Sequence, residues 1–220
     1  MTAPKRLFDI VLAALLAVVL TPVMLLIAGL ILVLDGRPVL HGSLRARTPG
    51  RNFRLWKFRS MVPDRADAGV TGGDKSRRIT RTGRFLRRTR LDELPQLWNI
   101  LKGDMSFVGP RPPLPRYVEM FPEVYGKVLR SRPGLTGLAT LVYHRTEERL
   151  LAACSTAEET EQVYIRRCIP RKARLDLIYA ADRNLCSDLR LIVATGIGRR
   201  FGHARKSAAS SRRTSVKRSF

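Results

Sequence analysis

The chain has 220 residues, with 41 Lys or Arg against 18 Asp or Glu and a net charge of +23. That balance calls for a negatively charged partner surface, whether phosphate, nucleic acid or anionic lipid head groups. Three cysteines, Cys154, Cys168 and Cys186, have no CxxC spacing and leave an odd thiol, which argues against a disulfide framework or a zinc site and fits a reducing compartment.

The first predicted element is apolar. Residues 10–34 carry no charged side chain, and about 20 apolar residues suffice for a membrane-embedded helix. The run is longer than the core of a signal peptide and ends in "LDGRP" without a small-residue cleavage site. Thr21 and Pro22 interrupt it near the middle, and a proline there removes a backbone donor and bends a helix. Two arms of about 12 residues would each be about 18 Å long, near the depth of one leaflet. Lys5 and Arg6 precede the run, and Arg37, Arg45 and Arg47 follow it, so a hairpin keeping both ends in the cytoplasm satisfies the positive-inside tendency. A proline-kinked spanning helix is also compatible. A polybasic domain beside such a segment is attracted to the anionic cytoplasmic leaflet, which places the bulk of the chain in the cytosol.

"NFRLWKFRSM" mixes Phe53, Trp56 and Phe58 with Arg54, Lys57 and Arg59, and reads as a short strand presenting cations. The glycine-rich stretch 64–76 reads as a loop. From Arg81 to Arg90 five of ten residues are arginine and none is acidic; the carboxylates Asp92 and Glu93 then arrive side by side. Leu91, Leu94, Trp98 and Leu101 are spaced as one apolar stripe on a helix. If that helix starts near Asp92, Pro95 falls in its first turn, where its missing N–H is harmless. The acidic pair then has a plain explanation as N-cap and first-turn acid, and a chemical one as anionic groups beside a phosphate site.

In "GDMSFVGPRPPLPRY" four prolines hold the backbone around Arg111, whose planar fork suits a bidentate phosphate contact; a solvated arginine in a connector is the alternative. "RPGLTGL" reads as a turn. The stretch "RLDLIYAADRNLCSDLRLIVATG" is largely helical, with Leu185, Leu189, Ile192 and Val193 on one face, expected to pack on the core or lie on the bilayer. Residues 196–220 hold eight Lys or Arg and no acid, a composition expected to be disordered. There is no P-loop, and His41, His144 and His203 are isolated, so an enzyme built on this sequence works with carboxylates, arginines and a hard metal ion.

These motifs resemble those of the bacterial sugar transferases, the monotopic polyprenyl-phosphate phosphoglycosyl transferases. The matching stretches are "KRLFDIVLA", "WKFRSM", "LDELPQLWNILKGDMSFVGPRP", "RPGLTG" and the long carboxyl-terminal helical segment, in order from Lys5 to about Gly196. The resemblance implies an α/β, mostly helical fold: a re-entrant helix-break-helix over 1–36, a cytosolic catalytic domain with amphipathic interfacial helices over 37–198, and a basic tail over 199–220. It implies that the helix bends at Thr21-Pro22, that Asp92 attacks the donor phosphate beside the sugar, and that Glu93 helps hold Mg²⁺. Attack by a carboxylate on a charged donor needs cations, for which Lys57, Arg59, Arg87 and Arg111 are the candidates. The resemblance places Lys57, Arg87 and Arg111 at the active site; Pro110, Pro112 and Asp176 complete the residues expected to serve the donor's phosphates and nucleotide. The implied partners are a UDP-sugar, a polyprenyl phosphate, anionic lipids and downstream glycosyltransferases, but not nucleic acid. The implied location is the cytoplasmic face of the inner membrane. Two departures bear on donor specificity: Ser43 and Arg47 stand where the family commonly has Gln and Gly, and "GLATLVYHRTEERLL" stands where many members read "GWAQVNGRN". A membrane-tethered nucleic-acid-binding protein and an inactive scaffold are the alternatives that the charge allows.

Overall fold

The computed structural model describes residues 1–64, 70 and 72–197. The basic tail expected over 199–220 lies outside the described residues, as do 65–69 and 71 of the glycine-rich stretch. The end of that stretch, within Gly73–Arg78, is a 3₁₀ helix rather than the loop that its composition suggests.

The chain opens with α1 (Ala3–Leu34), 32 residues, long and apolar enough to cross a membrane. Its helical bonding continues through Pro22, so the expected helix-break-helix is one unbroken element with a proline inside it. One proline removes one donor, and the bonds on either side are enough to hold the helical dihedrals. The freed polarity is partly taken up next door: the Thr21 hydroxyl donates to the Ala17 carbonyl at 2.6 Å, a bond that commonly bends a helix. Leu15, Val18, Val19, Leu25, Leu26 and Val33 are exposed, a larger apolar surface than water tolerates without a partner.

Both ends of α1 are fastened to the rest of the molecule. At the start, Arg6 donates to the carbonyls of Ile100 (2.6 Å) and Leu101 (2.8 Å), Lys5 pairs with Asp188, and the buried Asp9 accepts from the Phe107 amide. At the finish, Arg59 donates to the carbonyls of Asp35, Gly36 and Arg37, and the Thr80 hydroxyl donates to the Asp35 carboxylate at 3.0 Å. Between these anchors Ala13 packs with Phe53, Leu55, Leu97, Ile100 and Met105, while Ile27 and Ile31 pack with Phe58 and Leu86.

An antiparallel hairpin comes next, β1 (Leu40–Thr48) and β2 (Arg51–Phe58), turned at Pro49-Gly50, where Gly50 has φ +75°. Its register pairs His41 with Lys57 and Arg45 with Phe53, so Lys57 and Arg45 share one face. After the hairpin the chain forms α2 (Arg81–Thr89), a 3₁₀ turn at Leu91–Glu93, and α3 (Gln96–Lys102). A pair of three-residue parallel strands, β3 (Ser106–Val108) and β4 (Gly134–Thr136), encloses α4 (Pro115–Met120) and α5 (Pro122–Val128). "RPGLTG" is therefore a strand, not only a turn. A Cβ at Gly109 would collide with the Arg132 carbonyl, so glycine is what lets the backbone come this close.

The remainder is helical: α6 (Leu138–Ala152), α7 (Ala157–Val163), a π turn at Tyr164–Cys168, α8 (Ile169–Ala181) and α9 (Leu185–Ile197). Helices α4 to α8 bury Tyr117, Tyr125, Val128, Leu129, Tyr164 and Cys168 together. On α9 the inward residues are Asp188, Leu191 and Ala194, while Leu185, Leu189 and Val193 are exposed. Of the expected apolar face, Ile192 packs against the core cluster of Phe53, Leu97 and Ile100, and the other three residues do not. Asp188 sets the orientation, because its carboxylate is held inside by Lys5 and by the Tyr179 hydroxyl.

Candidate active site

The acidic pair lies where α2 ends. Arg90 adopts φ +58°, left-handed and unusual for a residue with a side chain, and this reversal starts the 3₁₀ turn that carries Asp92 and Glu93. Neither acid caps α3: its N-terminal residue is Pro95, with no side-chain cap. The N-cap explanation of the pair therefore fails. Leu91 and Leu94 pack against the cluster of Ile27, Ile31, Phe58 and Leu86, which leaves Asp92 and Glu93 only 6% and 9% exposed.

Two adjacent buried carboxylates repel, and the surroundings treat them differently. Glu93 Oε1 accepts from Arg111 Nη2 at 2.6 Å and from Lys57 Nζ at 3.3 Å. Burial by itself would raise its pKa, but Arg111 and Lys57 outweigh that and hold it well below the usual carboxylate range. Asp92 accepts no side-chain hydrogen bond and forms no ion pair among the described residues. Burial pushes its pKa up, the neighbouring Glu93 adds to this, and Lys57, Arg87 and Arg111 offset part of it. The result is one pinned carboxylate and one unpaired, more basic carboxylate side by side.

The cations are set by backbone. Asn99 on α3 donates to the Arg54 carbonyl at 2.8 Å and accepts from the Trp56 amide at 3.1 Å, which locks β2 against α3 and brings Lys57 over the dyad. Burial lowers the Lys57 pKa, and Glu93 restores part of it. Arg111 lies between Pro110 and Pro112, both buried. The Pro110 carbonyl accepts from Gly134 N at 2.8 Å and the Pro113 carbonyl from Ala46 N at 3.0 Å, so the proline segment is pinned on both sides of the arginine. Glu93 raises the Arg111 pKa above its ordinary value. Arg87 reaches the Met61 sulfur at 3.3 Å, near enough for its charge to act on Asp92.

Two of the residues expected to serve the phosphates and nucleotide make their interactions elsewhere. Arg59 is engaged with the three carbonyls at the end of α1 and, among the described residues, makes no hydrogen bond or ion pair with the dyad. Asp176 is buried on α8, pushed up to about 7 by burial, with Lys172 opposing and Glu147 reinforcing the shift; its Oδ1 has no hydrogen-bond partner. Thr21 and Pro22 lie in the middle of α1, away from the dyad in sequence and packing. Arg45 was missed as a site residue: it donates to the Pro112 carbonyl at 3.4 Å and to Ser43 Oγ at 3.2 Å, and burial together with Arg111 lowers its pKa to about 10. The alternation of the hairpin, which puts Arg45 on the Lys57 face, is the signal that would have found it.

Among the described residues no three His, Cys, Asp or Glu side chains gather to hold a metal. The residues do suit Mg²⁺ completed by substrate: Mg²⁺ commonly takes one or two carboxylates plus phosphate oxygens, and Glu93 Oε2 accepts no hydrogen bond from the described residues.

The model of the bacterial sugar transferase family matches residues 1–199. The chain belongs to that family. Among its relatives, the UDP-glucose:undecaprenyl-phosphate glucose-1-phosphate transferase of Klebsiella pneumoniae is 37% identical over 166 residues, covering 74% of this chain and 36% of the relative. An uncharacterized sugar transferase, EpsL, of Bacillus subtilis is 39% identical over 62% of this chain and 67% of its own length. The exopolysaccharide production protein ExoY of Sinorhizobium fredii is 38% identical over 61% of this chain and 66% of its own. The chain thus spans about a third of the Klebsiella relative and about two thirds of the other two.

Proposed function

We propose that this sugar transferase moves a sugar phosphate from a UDP-sugar to a polyprenyl phosphate, giving a polyprenyl-diphosphate sugar and UMP. The observation that carries the reading is the contrast within the dyad: Asp92 buried, unpaired and raised, Glu93 held by Lys57 and Arg111. The names of the relatives from Klebsiella pneumoniae and Escherichia coli, both UDP-glucose:undecaprenyl-phosphate glucose-1-phosphate transferases, support the reaction class.

The chemistry follows from charge. A carboxylate attacking a diphosphate meets repulsion, which preorganised cations must offset. Lys57, Arg87, Arg111 and Arg45 stand around two carboxylates, an excess of two positive charges that matches the diphosphate of a UDP-sugar. An Asp92 oxygen attacks the phosphorus bearing the sugar; the bond from that phosphorus to the bridging oxygen breaks, and UMP leaves with the electron pair. An oxygen of the polyprenyl phosphate then attacks the same phosphorus and releases the Asp92 carboxylate. When bound, Mg²⁺ held by Glu93 and phosphate oxygens supplies charge neutralisation at the departing phosphate.

The acceptor's phosphate lies at the membrane surface, and the packing of α1 supports a re-entrant insertion on the cytoplasmic face. Lys5 and Arg6 at one end and Asp35 to Arg37 at the other are bonded to one folded unit, so both ends belong on one side of the bilayer. The exposed Leu185, Leu189 and Val193 of α9 are available to the same surface. A nucleic-acid-binding role has no use for an acidic pair held in the interior by lysine and arginine. The test is to give the detergent-solubilised protein UDP-sugars with and without polyprenyl phosphate and measure UMP. Release of UMP supports the reading, and its absence with every UDP-sugar tried contradicts it.

A further inference from the structure

A groove of about 230 Å³ lies between the start of α6 and the corner where α8 gives way to α9, and no residue of the candidate active site lines it. Leu138 on α6, Ile178 and Tyr179 on α8, and Leu191 on α9 give it an apolar lining. Its floor is sealed: Tyr179 and Leu191 are 6% and 9% exposed, and the Tyr179 hydroxyl is bonded to Asp188 and to the Val108 carbonyl. Ile178, at the lip, is 42% exposed. Leu138, Tyr179 and Leu191 share one cluster with Leu12, Leu16 and Leu20 of α1, so the groove is continuous with the helix that meets the membrane. Its volume is below the roughly 300–1,000 Å³ of pockets that enclose a whole drug-sized ligand. A stretch of hydrocarbon chain whose polar head stays outside suits that size.

Two charged side chains complete the lining, Arg190 and Asp182, both exposed. Neither forms a side-chain hydrogen bond or ion pair among the described residues, with the other or with any third group. Ser187, the remaining polar residue of the groove, is already engaged with Asn184. One unpaired cation and one unpaired carboxylate beside an apolar groove match a head group that carries both a phosphate and an amine. The guanidinium fork suits the phosphate, and an ammonium donates to a carboxylate in a charge-assisted bond. We propose that this groove binds a membrane phospholipid with a zwitterionic, amine-bearing head group, its chain against Leu138, Ile178 and Leu191, its phosphate on Arg190 and its amine on Asp182. The polyprenyl phosphate acceptor is a poorer match, because it has no amine. Moreover, Leu91 and Leu94, on either side of the acidic pair, pack with Ile27 and Ile31 in the second half of α1, whereas the groove joins the first half. The bound lipid ties α6, α8 and α9 to the bilayer beside that first half. This inference rests on the membrane insertion of α1 proposed above.

The experiment uses the full chain in detergent, stripped of co-purified lipid and titrated with phosphatidylethanolamine, phosphatidylglycerol or phosphatidylcholine of identical chains. Lipid retained per protein is read by native mass spectrometry. Wild type should hold phosphatidylethanolamine about threefold more tightly than either of the others, the scale of one exposed ion pair. Asp182→Asn should erase that preference, Arg190→Gln should weaken all three lipids, and Ile178→Trp, which fills the groove, should remove the selective site. Equal retention of the three lipids by wild type overturns the proposal, and so does unchanged retention in the Asp182→Asn and Arg190→Gln variants. Displacement of phosphatidylethanolamine by polyprenyl phosphate also overturns it, making the groove an acceptor site instead. Should Ile178→Trp not fold, Asp182→Asn and Arg190→Gln, both at exposed positions, decide the matter. Lipid retention is read without turnover, so a wild type that releases no UMP is a failure of the transfer reading alone.

Discussion

Replacing Arg111 with methionine removes the 2.6 Å bond to Glu93 while keeping an unbranched side chain between the two prolines. Glu93, 9% exposed, is then left with Lys57 at 3.3 Å as its remaining partner. A hydrogen bond between charged groups contributes about 1.5–3 kcal/mol. Arg111 is 36% exposed at the side chain, so solvent screening puts its share toward the lower end of that range. At about 1.4 kcal/mol per decade, the loss on Arg111→Met is roughly tenfold, rising toward a hundredfold if the guanidinium also contacts the donor. Arg111→Lys keeps the charge but loses the fork, so it should fall between the methionine variant and wild type. The assay is UMP release from UDP-sugar in detergent, at saturating and subsaturating donor. An Arg111→Met protein that turns over within twofold of wild type would refute the assignment of Arg111 to the site.

Asp176, pushed up to about 7, holds a proton in the folded protein that the unfolded chain, with an ordinary aspartate near 4, gives up. Between about pH 4 and 7 the folded state binds more protons, so this residue's contribution to stability falls as pH rises and is least favourable above pH 7. Asp176→Asn should therefore gain melting temperature relative to wild type at pH 8 and little at pH 5; an equal change at both would contradict the shift. Arg59→Gln should lower thermal stability by loosening the exit of α1 and leave the KM for UDP-sugar within about twofold; a large KM increase without loss of stability would return Arg59 to the phosphate site. A cysteine introduced at Thr2 should be labelled only from the cytoplasmic side, and labelling from outside intact cells would exclude the re-entrant arrangement.

The dyad and its two nearest cations were legible because the side-chain types sit in fixed motifs, "WKFRSM" and "DELPQLWNILKGDMSFVGPRP". Phase was not. The apolar spacing of Leu91, Leu94, Trp98 and Leu101 assumes one continuous helix, whereas the chain makes a 3₁₀ turn and starts α3 only at Gln96. A 3₁₀ turn advances by three residues rather than 3.6, so Leu97 and Ile100 face the core and Trp98 is 58% exposed. Arg59 misled for a related reason: it continues the alternation of Lys57, but β2 ends at Phe58 and the next residue turns to α1. On α9 the hydropathy pattern found only Ile192 of the inward face, because that face is organised by a polar residue, Asp188, whose partners Lys5 and Tyr179 lie outside that helix. The pairing of β3 with β4 is equally invisible in a three-residue strand whose stability comes from its neighbour.

The central claim is that Asp92 becomes covalently attached to the sugar phosphate. Intact-mass and peptide measurement of the wild-type protein, given UDP-sugar in the absence of any lipid acceptor, tests it directly. The expected result is a phosphosugar on the peptide containing Asp92 with one UMP released per chain, and no adduct on Asp92→Asn. Release of UMP only when polyprenyl phosphate is present, with no trappable adduct, would contradict the claim and make Asp92 a base or a metal ligand instead.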